Sequence, residues 1–109
     1  MLKLTNRKRA AVRNMSVTLI NIFEVPAGEE DAFIAAWEKS HDYLAKLPAH
    51  IETRLHQSVH DTRFRFVNVA QWASEEDFIA AITSQGFREV SSALRWPSSP
   101  ALYRVVRTG

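Results

Sequence analysis

The fold is decided by residues 64–72, which read FRFVNVAQW. Its β-branched and aromatic residues predict a strand. Side chains alternate between the two faces of a strand. One face therefore carries Phe64, Phe66, Asn68, Ala70 and Trp72, and the other carries Arg65, Val67, Val69 and Gln71. A buried amide without hydrogen-bond partners costs about 1–3 kcal/mol, so Asn68 needs a partner from the fold or from a ligand. Asn68 and Trp72 therefore line either a core or a pocket.

The composition bounds the class of protein. A chain of 109 residues suits one domain with its own core. There is no cysteine, which excludes disulfides, thiolate metal sites and a cysteine nucleophile. Hydrophobic residues at 46% and charged residues at 24% are ordinary for a soluble globular domain. No stretch approaches the roughly 20 apolar residues of a membrane helix, so we predict no membrane partner. The apolar residues among the first 14 are too few to form the core of a secretory signal, so we predict a cytoplasmic location.

The charge is concentrated at the start of the chain. Residues 1–14 hold five basic residues and no acid, whereas the remainder holds nine basic and twelve acidic residues, so +5 and −3 give the net +2. We predict a basic extension at 1–14 and a domain at 15–109, whose charge gives no reason to expect nucleic acid. The extension is a loosely attached tail, an artefact of a start codon before Met15, an arm for a partner subunit or a segment that binds an acidic surface.

The first half of the domain predicts a strand, a helix and a second strand. Residues 17–25 read VTLINIFEV and end at Pro26, which predicts the first strand. Residues 29–47 begin with acidic residues and place apolar residues at three- and four-residue spacing, which predicts a long helix that ends at Pro48. Residues 51–59 alternate as a strand and form a hairpin with residues 64–72.

The second half predicts two short helices and a last strand. Ser74 and Asp77 resemble a helix cap, and apolar residues follow it with helical spacing. Ser84 and Gly86 interrupt this helix, and residues 87–94 repeat the spacing. Residues 96–100 predict a loop, and residues 101–106 predict the final strand.

This order of elements predicts the ferredoxin-like α+β fold, a split βαβ arrangement with helices on one face of a four-stranded antiparallel sheet. A sheet with one solvated face should alternate apolar and polar residues, but the first, third and fourth strands are apolar on both faces. No third layer remains to cover the open face. A second copy of the sheet is the simplest cover, so we predict a homodimer.

The chain also resembles the antibiotic biosynthesis monooxygenase family of dimeric α+β barrels. The resemblance covers residues 15–109 and rests on the element order, the Asn-x-x-x-Trp spacing of Asn68 and Trp72, the acidic helix start after residues 26–28 and the closing Pro-Ala-Leu-Tyr. It implies a cofactor-free monooxygenase that oxidises a phenolic, polyketide-like aromatic molecule with O₂, the deprotonated substrate supplying the electrons. Such a protein needs no cofactor and no metal.

The resemblance also implies roles for particular residues. Asn68 would donate to the developing oxyanion, Trp72 would donate its indole N–H or stack on the substrate, and Asn21 is the next catalytic candidate. The predicted substrate-binding residues are Trp37, His56, Phe66, Phe78 and Tyr43. The sequence departs from the family pattern because it lacks a clear set of pocket tyrosines, and Phe78 has no hydroxyl.

Several alternatives remain open at this point. The haem-degrading members use a strand-one asparagine, which Asn21 matches, but residues 78–94 hold neither the tryptophan nor the histidine that these members need. Haem ligation would have to use His41 or His56 by another route. Asn68 and Trp72 also fit plain structural roles, and His56 fits an exposed or dimer-contact position. A dimeric barrel that binds a small molecule without turnover is the alternative to an enzyme.

Overall fold

The computed structural model describes residues 15–109, so the predicted basic extension lies outside the described residues. The elements in this range are β1 (Val17–Phe23), α1 (Glu30–Leu44), β2 (His50–Gln57), β3 (Phe66–Trp72), α2 (Glu75–Ile82), α3 (Gln85–Ser91) and β4 (Ser98–Tyr103). All strand pairs are antiparallel, in the order β2-β3-β1-β4. The predicted ferredoxin-like α+β fold is confirmed.

The two central strands fix which residues share a face of the sheet. Asn21 lies opposite Asn68, Phe23 opposite Phe66, and Val17 opposite Trp72. Residues directly opposite each other in an antiparallel pair point to the same face. This face is covered by the helices. Asn68 and Trp72 therefore lie on the helix side of the sheet, and they share one face as the alternation of residues 64–72 predicts.

Two separate clusters form the core beneath the helices. The first holds Phe23, Val25, Phe33 and Phe66, with the Phe33 ring centroid 4.6 Å from that of Phe66. The second holds Val17, Leu19, Ala70, Trp72, Phe78 and Ala81. These clusters pack against opposite ends of β1 and β3. The Asn21–Asn68 pair lies between them.

Most element boundaries differ from the predicted ones by one to three residues, and two of them involve prolines. Helix α1 ends at Leu44, and residues 45–47 continue in tighter turns before Pro48. The proline ring disfavours helical geometry in the residue before it, so the helix ends early. Strand β4 begins at Ser98 and contains Pro100, which lies opposite Asn21. An edge strand tolerates proline because one side of it has no strand neighbour.

The predicted cap of α2 is confirmed. The backbone N–H of Asp77 donates to Ser74 Oγ at 3.1 Å, and the Ser74 hydroxyl donates to the Asp77 carboxylate at 2.8 Å. Ser84 caps α3 in the same way, since its Oγ accepts from the N–H of Phe87 at 3.2 Å. Each serine satisfies a helix N–H that lacks an intrahelical partner.

The other face of the sheet has no helix over it. Ile20, Ile22, Val67 and Val69 lie there half-buried, and Tyr103 beside them is 51% exposed. The homodimer that this apolar face predicts stays a prediction. No helix within residues 15–109 is long and apolar enough to cross a membrane.

Candidate active site

A cavity of about 340 Å³ lies between the sheet and the helices. Its floor is formed by Leu19, Asn21, Asn68 and Ala70 of the two central strands. Helices α1, α2 and α3 and strand β2 form its walls, and most of the side chains that line it are apolar or aromatic. A cavity of roughly 300–1,000 Å³ with few polar groups is typical of small-molecule sites.

Two asparagines provide polar groups on the cavity floor. The Oδ1 atoms of Asn21 and Asn68 are both buried, and neither has a hydrogen-bond partner among the described residues. A half-turn of either amide exchanges its N–H₂ group with its oxygen, so each side chain can donate or accept. Buried polar groups are normally satisfied. Two asparagines with unsatisfied amide oxygens therefore line one cavity and provide polar groups there.

Trp72 closes one end of the cavity. It is 1% exposed, and its ring meets the edges of His50 and Phe78 at centroid distances of 5.4 and 5.6 Å. It therefore packs in the core and lines the cavity at the same time. The two roles that the sequence presents as alternatives are both part of the structure.

A row of aromatic rings continues from Trp72 along the cavity wall. The His50 ring contacts that of His41 at 5.8 Å, and the His41 ring lies flat on Trp37 at 4.8 Å with an interplanar angle of 5°. Trp37 and His41 are four residues apart on α1, so they share one helix face. This spacing was the available signal for His41 as a cavity residue, and sequence reasoning did not use it.

His50 reaches the cavity because of a bulge in β2. His50 lies opposite Trp72, while Glu52 lies opposite Gln71, so Ile51 is an extra residue in the pairing. A bulge of this kind shifts the alternation of side chains by one residue. Regular alternation from Thr53 would place His50 on the open face. No residue type in the sequence indicates the bulge, so His50 was not predicted as a cavity residue.

Burial and a neighbouring imidazole both act on His50. Its Nε2 lies 2.5 Å from the hydroxyl of Thr53. The pKa of His50 is lowered from 6.5, first by burial and second by repulsion from His41. Both causes disfavour the charged ring. His50 is therefore neutral at neutral pH and able to accept a proton.

The structure brings together five of the eight residues that sequence reasoning proposed. Asn21, Asn68, Trp72, Trp37 and Phe78 all line the cavity. The other three lie elsewhere. Phe66 is 1% exposed and stacks on Phe33 in the first core cluster. Its large ring fills the core beneath α1.

Tyr43 and His56 lie away from the cavity lining for different reasons. The Tyr43 hydroxyl lies 3.2 Å from Ser84 Oγ, and its ring packs so closely on Gly86 that a Cβ there would come within 2.5 Å. Tyr43 therefore joins α1 to the start of α3. His56 is exposed on the open face opposite Val67, because it follows Leu55, which faces the helices.

The cavity also includes a residue that the sequence predicted only as part of a loop. Trp96 packs edge-on against Phe33 at 5.4 Å, and its indole N–H donates to the Glu29 carboxylate at 3.1 Å. It lines the end of the cavity that is farther from Trp72. Within residues 15–109, no group of three or more histidine, aspartate or glutamate residues is placed to hold a metal ion.

Comparison with known proteins identifies the class of protein that this fold and cavity define. The model of the antibiotic biosynthesis monooxygenase family matches residues 16–93. The chain belongs to that family. Its family and its structural neighbours support a monooxygenase-like function. No curated protein sequence matches the chain.

Two solved structures illustrate this membership. A candidate monooxygenase from Shewanella loihica is 42% identical, with a TM-score of 0.76, and the match covers 86% of this chain and 97% of that one. SnoaB from Streptomyces nogalater, a cofactor-independent oxygenase, is 26% identical with a TM-score of 0.78. That match covers 86% of this chain and 96% of SnoaB.

Proposed function

We propose that this protein is a cofactor-independent monooxygenase that oxidises an aromatic, polyketide-like phenol with O₂. The observation that carries the proposal is the Asn21–Asn68 pair, whose unsatisfied amides lie on the floor of an aromatic-lined cavity. The similarity to SnoaB supports the same chemistry. Trp37, Trp72 and Phe78 line the cavity, and their rings give a planar aromatic substrate apolar surface to pack against.

The reaction needs electrons, and the substrate supplies them. Deprotonation of a phenolic anthrone-type ring system gives an electron-rich anion that reduces O₂. One oxygen atom forms the new carbonyl, the carbon loses two hydrogens, and the second oxygen atom leaves as water. No cofactor or metal enters this balance.

The protein's part is to stabilise the anion and to exclude water. An amide N–H of Asn68 or Asn21 donates to the oxygen on which negative charge develops. Removing such a donor lowers kcat by about 10²–10³-fold. The amides are held on adjacent strands of the sheet, so they need no reorganisation during the reaction. Trp72 and Phe78 keep water away from the reacting ring.

We further propose that the active form is a homodimer, with the open sheet face of each subunit covered by the other. The half-buried valines and isoleucines of β1 and β3 support this arrangement. The cavity lies on the opposite face of the sheet. The dimer would therefore stabilise the sheet that carries both asparagines without covering the cavity floor.

Oxygen consumption with a dihydroxyanthrone tests the proposed function. We expect turnover by the wild type and a loss of about 100-fold in kcat/KM for Asn68→Ala, because a preorganised donor is removed. The unfolding free energy should change little, since the amide oxygen that is deleted is already unsatisfied.

A matched control is Gln57→Ala, which removes an amide at the exposed end of β2. This variant should retain wild-type turnover. Binding of the anthrone without oxygen consumption, across a panel of phenols, would instead make the protein a non-catalytic binder of aromatic molecules.

A further inference from the structure

Burial lowers the pKa of His50, which lines the cavity, and one nitrogen of its ring is free in the part of the chain that the structure describes. Its Nε2 is engaged by the Thr53 hydroxyl, and its Nδ1 has no hydrogen-bond partner among residues 15–109. The edge of its ring lies on Trp72, and His41 lies on its other side. These contacts fix the plane of the imidazole within the cavity wall.

We infer that His50 is the base that removes the phenolic proton of the substrate. The O–H bond breaks, the proton moves to His50 Nδ1, and the electron pair stays on the phenolate oxygen. The resulting imidazolium donates its Nε2–H to Thr53 Oγ1. The inference rests on the proposed function and assigns one residue to its first step.

The surroundings of His50 suit a base that starts neutral. Helix α1 presents His41 and Trp37, β3 presents Trp72, and β2 presents Thr53. Among the described titratable groups, only His41 acts on His50, and it acts by repulsion. Within residues 15–109, no carboxylate holds the ring charged before substrate binds. The pKa of His50 is accordingly lowered, so the proton-accepting form predominates at neutral pH.

The distance between the base and the asparagines indicates the shape of the substrate. His50 lies opposite Trp72, four residues along β3 from Asn68. Four residues of a strand span about 13 Å. A molecule that contacts both ends must extend over several fused rings, whereas a single phenol ring reaches one end only. The cavity therefore favours polycyclic phenols with an ionising hydroxyl at the Trp72 end and a second oxygen, conjugated with it, at the asparagines.

A single-ring probe separates proton transfer from oxygenation. Para-nitrophenol changes its absorption band when it ionises, and a single ring is small enough to reach His50. We expect the bound probe to ionise on wild-type protein at a lower pH than in solution. On His50→Gln, the bound probe should ionise near its solution pH. His60→Gln, at an exposed histidine of the turn between β2 and β3, should behave as the wild type.

Kinetics with the dihydroxyanthrone give a second readout. Loss of a general base lowers the rate by about 10²–10⁴-fold, so His50→Gln should lose at least about 100-fold in kcat/KM. The fall in activity at acidic pH, which reports protonation of the base, should disappear in this variant. Thr53→Val keeps the ring and removes the hydroxyl that accepts from the imidazolium, so it should show a smaller loss in kcat/KM and an acidic fall that moves to lower pH.

The outcomes separate the two proposals. Ionisation of the probe by wild type but not by His50→Gln supports the base even if no anthrone is oxidised, in which case the oxygenase proposal alone fails. If His50→Gln ionises the probe as fully as the wild type, or retains wild-type kcat/KM, His50 is not the base. If His50→Gln unfolds, a wild-type pH profile and probe titration for Thr53→Val would also overturn the assignment.

Discussion

The two faces of strand β3 have similar numbers of apolar residues in the sequence but different surroundings in the structure. On the helix side, Trp72 is 1% exposed and Asn68 lies on the floor of a cavity. On the open side, Val67 and Val69 remain half-buried with no layer above them. The difference teaches that hydrophobicity alone does not separate a core, a ligand site and a subunit interface. The layer that packs against each face decides which of these three it forms.

Trp72→Ala, on the helix side of β3, should cause the largest loss of stability. Removing a buried tryptophan leaves a large void, so the unfolding free energy should fall by about 3–5 kcal/mol. Gln71→Ala is the matched variant on the open face, where the Gln71 oxygen accepts from the Thr18 hydroxyl at 2.9 Å. It should cost about 1 kcal/mol. Urea denaturation measures both values, and equal losses would contradict the contrast.

Val69→Lys tests the open face as the predicted dimer interface. Val69 lies opposite Ile20 near the centre of that face, so a buried lysine there should cost about 2 kcal/mol of association, or about 30-fold in Kd. Sedimentation equilibrium measures the change. Ala80→Lys adds the same charge to an exposed position of α2 and should leave association unchanged. A wild-type protein that is monomeric at all concentrations would refute the dimer.

His50 predicts the smallest effect, a change in how stability depends on pH. Its folded pKa lies below the unfolded value of 6.5, so the unfolded chain binds more protons in that window. The stabilisation linked to neutral His50 is therefore fully present above pH 6.5 and is lost as the pH drops through the folded pKa. The Tm of the wild type should decline more steeply than that of His50→Gln between about pH 7 and pH 5. Parallel curves would contradict the lowered pKa.

Much of the fold could be predicted because local patterns and tertiary packing agree. The alternation in residues 64–72 placed Asn68 and Trp72 on one face of the strand, and the Ser74–Asp77 cap was identified from two residues. The boundaries of α1 and β4 were less accurate. Both depend on prolines, whose effect on a helix end or an edge strand is set by neighbouring elements.

The site was predicted only in part, for physical reasons that differ between residues. Asn21, Trp37 and Phe78 follow regular periods, so their faces could be inferred from spacing. His50 follows a bulge, which changes its face without a sequence signal. Tyr43 is on the correct helix, but the close approach of Gly86 directs it to a contact with α3.

The sequence by itself determined the order of the elements, which residues share a face of each central strand and the presence of amides among aromatic residues. These features follow from periodicity and from the local chemistry of caps and turns. Only the tertiary structure decided that the core divides into two clusters with a cavity between them, and that His41 and His50 meet at its wall. A cavity remains where residues that are distant in the sequence do not pack against each other, and a local sequence pattern carries no information about such packing.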